Sequence, residues 1–344
     1  MFKKLASQKS FPVLILIFSV IFFMSSFIRG SILVKKSEKE LSSRKQIEEA
    51  QAKVYSLKEI DSTTGELRWE LTAEEGETKE NLQAAIIKNI NAFVYKNKKV
   101  VFELKAPFAK ANSKTKDIYL YGDVTAHDKS GDFLLHSNQV ALGMGTSIEA
   151  QKGFKLILKN EGVIEGESAL INDDQTKIIT KDLREASFKD ITISGKEVQI
   201  DKEKEGSVKK ATILNGGKVV FKNNENLSAG SISWESTGKV EATSNVIYNS
   251  QDKTFKANYL KINEKKELYA KENVELTHGG TKCYGKSLSF TNNEQIILTG
   301  NPKALQGTKQ IQADKITYDI NTKKVEAEGN VKTILTDNAL SNKP

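Results

Sequence analysis

The sequence predicts an all-β fold: an elongated, folded-over stack of two-strand repeats of about 28 residues, behind one N-terminal transmembrane helix. Three observations predict it. Apolar residues recur two apart along the carboxyl half, four copies of one pattern stand in register, and one long charge-free segment lies near the amino terminus.

The repeat carries the most weight. Ala229, Ala257, Gly285 and Ala313 are evenly spaced, and each follows an apolar residue two positions earlier: Leu227, Phe255, Cys283 and Ile311. Each precedes a same-face pair: Ile232 and Trp234, Leu260 and Ile262, Leu288 and Phe290, Ile316 and Tyr318. A polar turn such as Asn263-Glu264-Lys265-Lys266 leads to a second strand with inward Val240 and Ala242, Leu268 and Ala270, Ile296 and Leu298, or Val325 and Ala327. That strand runs on to Asn245-Val246, Asn273-Val274, Asn301-Pro302 or Asn330-Val331. Residues two apart share one face of a strand, so each copy is a hairpin. The inward face changes parity around the Ala or Gly. A flat strand cannot do this and keep one face buried, so a bulge or bend is expected at the small residue. One bend per repeat folds the sheet over on itself, and stacked copies enclose an apolar interior. The same pattern recurs in degraded form at Leu104 and Ala106, then Ile118, Leu120, Gly122 and Val124.

Phe11 to Ile28 carries no charge and spans about 27 Å as a helix at ~1.5 Å per residue. A cleaved signal peptide is the competing reading, but Ser25-Ser26-Phe27-Ile28-Arg29 is a poor cleavage site, so an uncleaved anchor is expected over 11–33. Lys3, Lys4 and Lys9 precede the span, and Arg29, Lys35 and Lys36 follow it. The shortness of the tail 1–10 therefore places that tail in the cytoplasm. Residues 34–53 read as a charged stalk, and 339–344 as a tail.

Net charge is +8, which raises nucleic acid as a partner. Arginine, the better reader of phosphate and bases, occurs only at Arg29, Arg44, Arg68 and Arg184, and the lysines alternate with Glu and Asp. The charges read as solvated strand faces, with no nucleic-acid partner. Cys283 stands where other repeats carry a large apolar residue, so it reads as a buried hydrophobe; a single cysteine excludes an internal disulfide and a cysteine metal site. His127, His136 and His278 lack metal-ligand spacing and read as structural surface residues. Asp173-Asp174 sits in a turn-like stretch and is read as turn chemistry, not a catalytic pair. No cofactor, metal or catalytic residue is expected.

Gly65-Glu66-Leu67-Arg68-Trp69-Glu70-Leu71-Thr72-Ala73, Phe102-Glu103-Leu104-Lys105-Ala106 and Ile118-Tyr119-Leu120-Tyr121-Gly122-Asp123-Val124 follow the anchor in that order. They resemble strands of the lipopolysaccharide-transport periplasmic family, LptC with its LptA/OstA-like relatives. Ile311-Gln312-Ala313-Asp314 and Glu328-Gly329-Asn330-Val331 are similar to the LptA/OstA unit. With the repeats it divides the chain into an LptC-like part, 54–190, and OstA/LptA-like repeats, 191–338; irregular copies around Gly166 and Gly195 keep one continuous stack as the alternative. The resemblance implies a β-jellyroll open along one side, an inner-membrane position with the bulk of the chain in the periplasm, and lipopolysaccharide as the ligand. It also implies an inner-membrane Lpt ABC transporter as donor, and an LptA-like or LptD-like β-jellyroll as an end-to-end partner. The extra repeats put in doubt whether a separate LptA bridge is needed. Inward parity beside these segments nominates Trp69, Leu71, Phe102, Leu104, Leu120, Val124, Trp234, Ile262, Phe290 and Tyr318 as lipid-binding, although a trough and a plain core use the same residues. The reading from another class is an anchored β-solenoid that binds or cleaves envelope polysaccharide.

Overall fold

A computed structural model describes residues 51–52, 55–78, 84–112, 117–142, 147–203, 206–290 and 294–335. The expected tails 1–10 and 339–344, the anchor 11–33 and nearly all of the stalk lie outside them. Among the described residues no helix is long and apolar enough to cross a membrane.

Every described element is a strand, and all join one 24-stranded sheet. Gln51–Ala52, expected in the stalk, already pairs with Gly76 and Glu77 of the strand Leu67–Thr78. Neighbours in sequence pair antiparallel: Ala84–Lys96 lies between Leu67–Thr78 and Lys99–Asn112, and Lys253–Ile262 between Val240–Ser250 and Leu268–His278. Pairing runs unbroken past residue 190, where Lys177–Phe188 pairs with Ile191–Lys202.

Each long strand bends near its middle, so its two halves belong to two facing walls. The pairing shows how. Between Thr243 and Val246 one strand advances three positions while its partner, from Tyr259 to Ala257, advances two. The next pair repeats this: Lys271 to Val274 faces a bend in the same partner, and Val274 pairs with Gly285. The extra residues have left-handed backbone at Ser244 and Asn245 (φ 68° and 54°), then Glu272 and Asn273 (φ 64° and 56°). Equivalent pairs stand at Gly122-Asp123, Lys152-Gly153, Asn215-Gly216, Gly300-Asn301 and Gly329-Asn330. Asn, Asp and Gly suit this role because they bear left-handed φ at the least cost.

Of the two devices expected at the small residue, a bulge or a bend, the strand uses the bend. The bulge does not sit at the repeat's small residue; the extra residue belongs to the partner strand. The small residue lies opposite, inside the corner, where Ala229, Ala257 and Ala313 are buried. A Cβ on Gly285 would come within 3.2 Å of the Thr299 carbonyl oxygen, so even a methyl group would be tight there.

The enclosed interior is a continuous apolar core running from Trp69 to Tyr318. Phe102 and Phe133 meet at 5.4 Å between ring centres, and Tyr248 and Phe255 at 5.9 Å. Outward positions carry cross-strand ion pairs, including Lys155–Glu165 at 2.8 Å and Lys261–Glu241 at 3.5 Å. Exposed pairs of this kind add at most about 1 kcal/mol each, but they account for the interleaved lysine and glutamate. At the carboxyl end both walls finish on short strands, Val325–Glu328 and Lys332–Leu335, with Val331, Ile334 and Leu335 exposed.

Candidate functional site: an apolar trough and its seam

The bends close one long side of the molecule. On the other side the hairpin tips of the two walls face each other across a seam. Tips of the first wall include 97–98, 128–132, 159–161, 189–190, 222–225, 251–252 and 279–280; tips of the second include 172–176, 206–207, 236–239, 263–267 and 320–324.

Between tips 190–253 of the first wall and 236–267 of the second, the seam opens into a cleft of ≈ 830 Å³. Its floor is apolar: Ile191, Phe221, Trp234, Val240, Phe255, Ile262, Leu268 and Phe290. Its rim carries Lys222, Lys253 and Lys266 beside Asp190 and Glu225. Glu225 accepts hydrogen bonds from Tyr248 Oη at 2.6 Å and Ser250 Oγ at 2.5 Å. Burial pushes its carboxyl up, yet these bonds and Lys266 together bring it below the usual glutamate range. The Tyr248 hydroxyl is pushed well above its ordinary value, first by burial and then by Glu225. Glu225 thus stays ionised and holds the first-wall tip in shape.

The nominated residues fall into three groups. Trp234, Ile262 and Phe290 come together on the cleft floor. Trp69, Leu71, Phe102, Leu104, Leu120 and Val124 line the interior farther toward the amino terminus, where it is closed and they are buried. Tyr318 is buried at the carboxyl side, where its hydroxyl meets His278 Nδ1 at 2.7 Å. Phe221, Tyr248 and Phe255 were not nominated, yet they line the same cleft. The signal was present for Tyr248: the inward parity of Val240 and Ala242 continues through Val246 to Tyr248.

His278 departs from its expected surface place. It is buried, with Nε2 on Asp252 Oδ2 at 2.7 Å and Nδ1 on Tyr318. Those partners lie 26 and 40 residues away, so only the stacking of repeats brings the three together. Asp174 accepts from the backbone and hydroxyl of Thr176 within its turn, as expected, whereas Asp173 reaches across the seam to Lys96. Cys283 is buried, and burial pushes its thiol up to about 12. Among the described residues no group of His, Cys, Asp and Glu is arranged to hold a metal.

A bent antiparallel stack with an apolar interior and an open seam is a folded-over β-jellyroll. Two family models match it in tandem: residues 13–142 match "Lipopolysaccharide-assembly, LptC-related" and residues 163–324 match "LptA/(LptD N-terminal domain) LPS transport protein". The chain is an LptC-like protein with an LptA-like carboxyl-terminal region. Both matches support a role in lipopolysaccharide transport, and the matched families are of transport proteins rather than enzymes. No curated protein matches the chain. One similar solved structure is LptH, the LptA-homologous periplasmic component of the lipopolysaccharide transport device of Pseudomonas aeruginosa. It is 15% identical over 33% of this chain and 94% of that one, with a TM-score of 0.31.

Proposed function

We propose that this chain is a membrane-anchored lipid-transfer protein. It accepts lipopolysaccharide from an inner-membrane ABC transporter and passes it along the apolar interior toward the outer membrane. The observation that supports this most directly is the cleft, where Trp234, Ile262 and Phe290 open the interior to solvent beside a lysine-bearing rim. Each methylene sheltered there contributes roughly 0.8 kcal/mol, so a dozen or more offset much of the cost of leaving a bilayer. No residue need do chemistry, and direction comes from the energised partner. The exposed end strand Lys332–Leu335 is suited to pairing with an LptA-like or LptD-like jellyroll by strand addition.

A photo-crosslinking residue at Phe290 is expected to capture lipopolysaccharide in cells, while outward probes at Lys261 or Lys323 capture none. Equal capture inside and outside would remove the cleft as the lipid site. The single-pass anchor over 11–33, with the bulk of the chain in the periplasm, has its own test. The protein is expected to resist alkaline carbonate extraction and to keep its amino terminus; a mature terminus near Phe27 or Ser31 would overturn retention.

A further inference from the structure

The seam is bonded shut on both sides of the cleft. Toward the amino terminus, Lys96 Nζ on a first-wall tip meets Asp173 Oδ1 on a second-wall tip at 2.8 Å. Closer to the cleft, Glu161 Oε2 of the first wall accepts the backbone N–H of Val208 of the second at 3.2 Å. Lys202 of the second wall is half-buried beside them, where burial lowers its ammonium more than the acidic Asp128, Glu161 and Asp132 of the first wall raise it. Toward the carboxyl end, His278 and Tyr318 bond across the interior at 2.7 Å. The Gly279 turn closes on Lys323, whose Cε would lie 2.9 Å from a Cβ at that glycine. Between these points, among the described residues, no hydrogen bond or close ion pair joins the facing tips of the cleft, and Lys266 of the second wall acts on Glu225 of the first only at longer range.

This pattern has a consequence for any lipid whose tails occupy the interior and whose large hydrophilic head stays in water. The head must project through the seam. It fits at the cleft, and it cannot pass a point where the two walls are bonded unless those bonds open. The latch at Lys96 and Asp173 is a partly exposed ion pair, a kind that adds little stability and yields readily.

We infer that the cleft is a side port for an anionic amphiphile with a bulky head, and that the seam toward the amino terminus is a gate held by Lys96–Asp173 and by Glu161 on the backbone of Val208. This rests on the lipid-transfer reading above. Lys222 and Lys266 on the rim meet the charge of the head, and the apolar floor takes the tails. Movement between the amino-terminal interior and the port requires the gate to open.

The test uses the full chain in detergent, lipopolysaccharide as the probe, and a benzophenone residue at Phe290 or at Phe133. Phe133 points inward beside Asp132 under the gate, and both positions already hold a phenyl ring. Capture is expected at Phe290 and several-fold less at Phe133. Opening the gate with Asp173→Ala and Glu161→Ala is expected to raise capture at Phe133 several-fold while leaving Phe290 unchanged. Raised ionic strength, which screens the ion pairs without any variant, is expected to raise capture at Phe133 itself and so move the ratio the same way. Equal capture at both positions, or a ratio that neither treatment moves, overturns the gate. Absence of capture at both positions overturns lipid transfer itself.

Discussion

Replacing Leu260 with aspartate is expected to unfold the carboxyl-terminal repeats. Leu260 is fully buried, between Ala242 on one neighbouring strand and Ala270 on the other. Both neighbours are small and apolar, so an ionised carboxylate there has no cross-strand partner. The cost is several kcal/mol, comparable with the whole stability of a short repeat array. Because each repeat is held by its neighbours, the loss spreads along the stack. Lys261→Ala, one residue away, removes only an outward pair with Glu241 and is expected to change stability by less than about 0.5 kcal/mol. Urea denaturation followed by circular dichroism checks both. Equal losses would mean that the inward face has been assigned wrongly.

Gly217→Val is expected to cost about 3 kcal/mol or more. A Cβ there would lie 2.4 Å from Ile213 Cγ2 and 2.5 Å from the Ser194 carbonyl oxygen. Gly217 pairs with Gly195 at a bend, and the two backbones approach too closely for a side chain on either. Overpacking normally costs ~1–3 kcal/mol, and a backbone oxygen yields less than a side chain does. Ile213→Ala removes the first clash but not the second, so the double variant is expected to recover only part of the loss. Full recovery would show that side-chain crowding alone sets the requirement for glycine. Lys218→Val, at the next and exposed position, serves as the control.

The transport role was legible from short segments such as Leu120-Tyr121-Gly122 and from the order of those segments behind an apolar stretch. The cleft was legible only in part. Trp234, Ile262 and Phe290 follow one parity rule and do line it. Leu120 and Phe102 obey similar rules yet lie in a closed stretch, because parity states which wall face a residue joins and not whether the walls are apart. Glu225 shows the same limit from the polar side. In sequence it is one acidic residue in a polar turn; in the fold it anchors Tyr248 and Ser250, more than 20 residues later, at the edge of the cleft.

By itself, the sequence determined the all-β class, the repeat and its inward positions, the parity change at each bend, and the burial of Cys283. These follow from local rules: the two-residue period of a strand, and the recurrence of one pattern in register. Tertiary structure alone decided where the seam opens and where it is latched, which strand carries each extra residue, and that His278 is buried between Asp252 and Tyr318. Those features depend on the offset between facing walls. That offset brings Lys96 to Asp173 and Glu161 to Val208, and it accumulates from bend and twist over several repeats rather than from any residue and its neighbours.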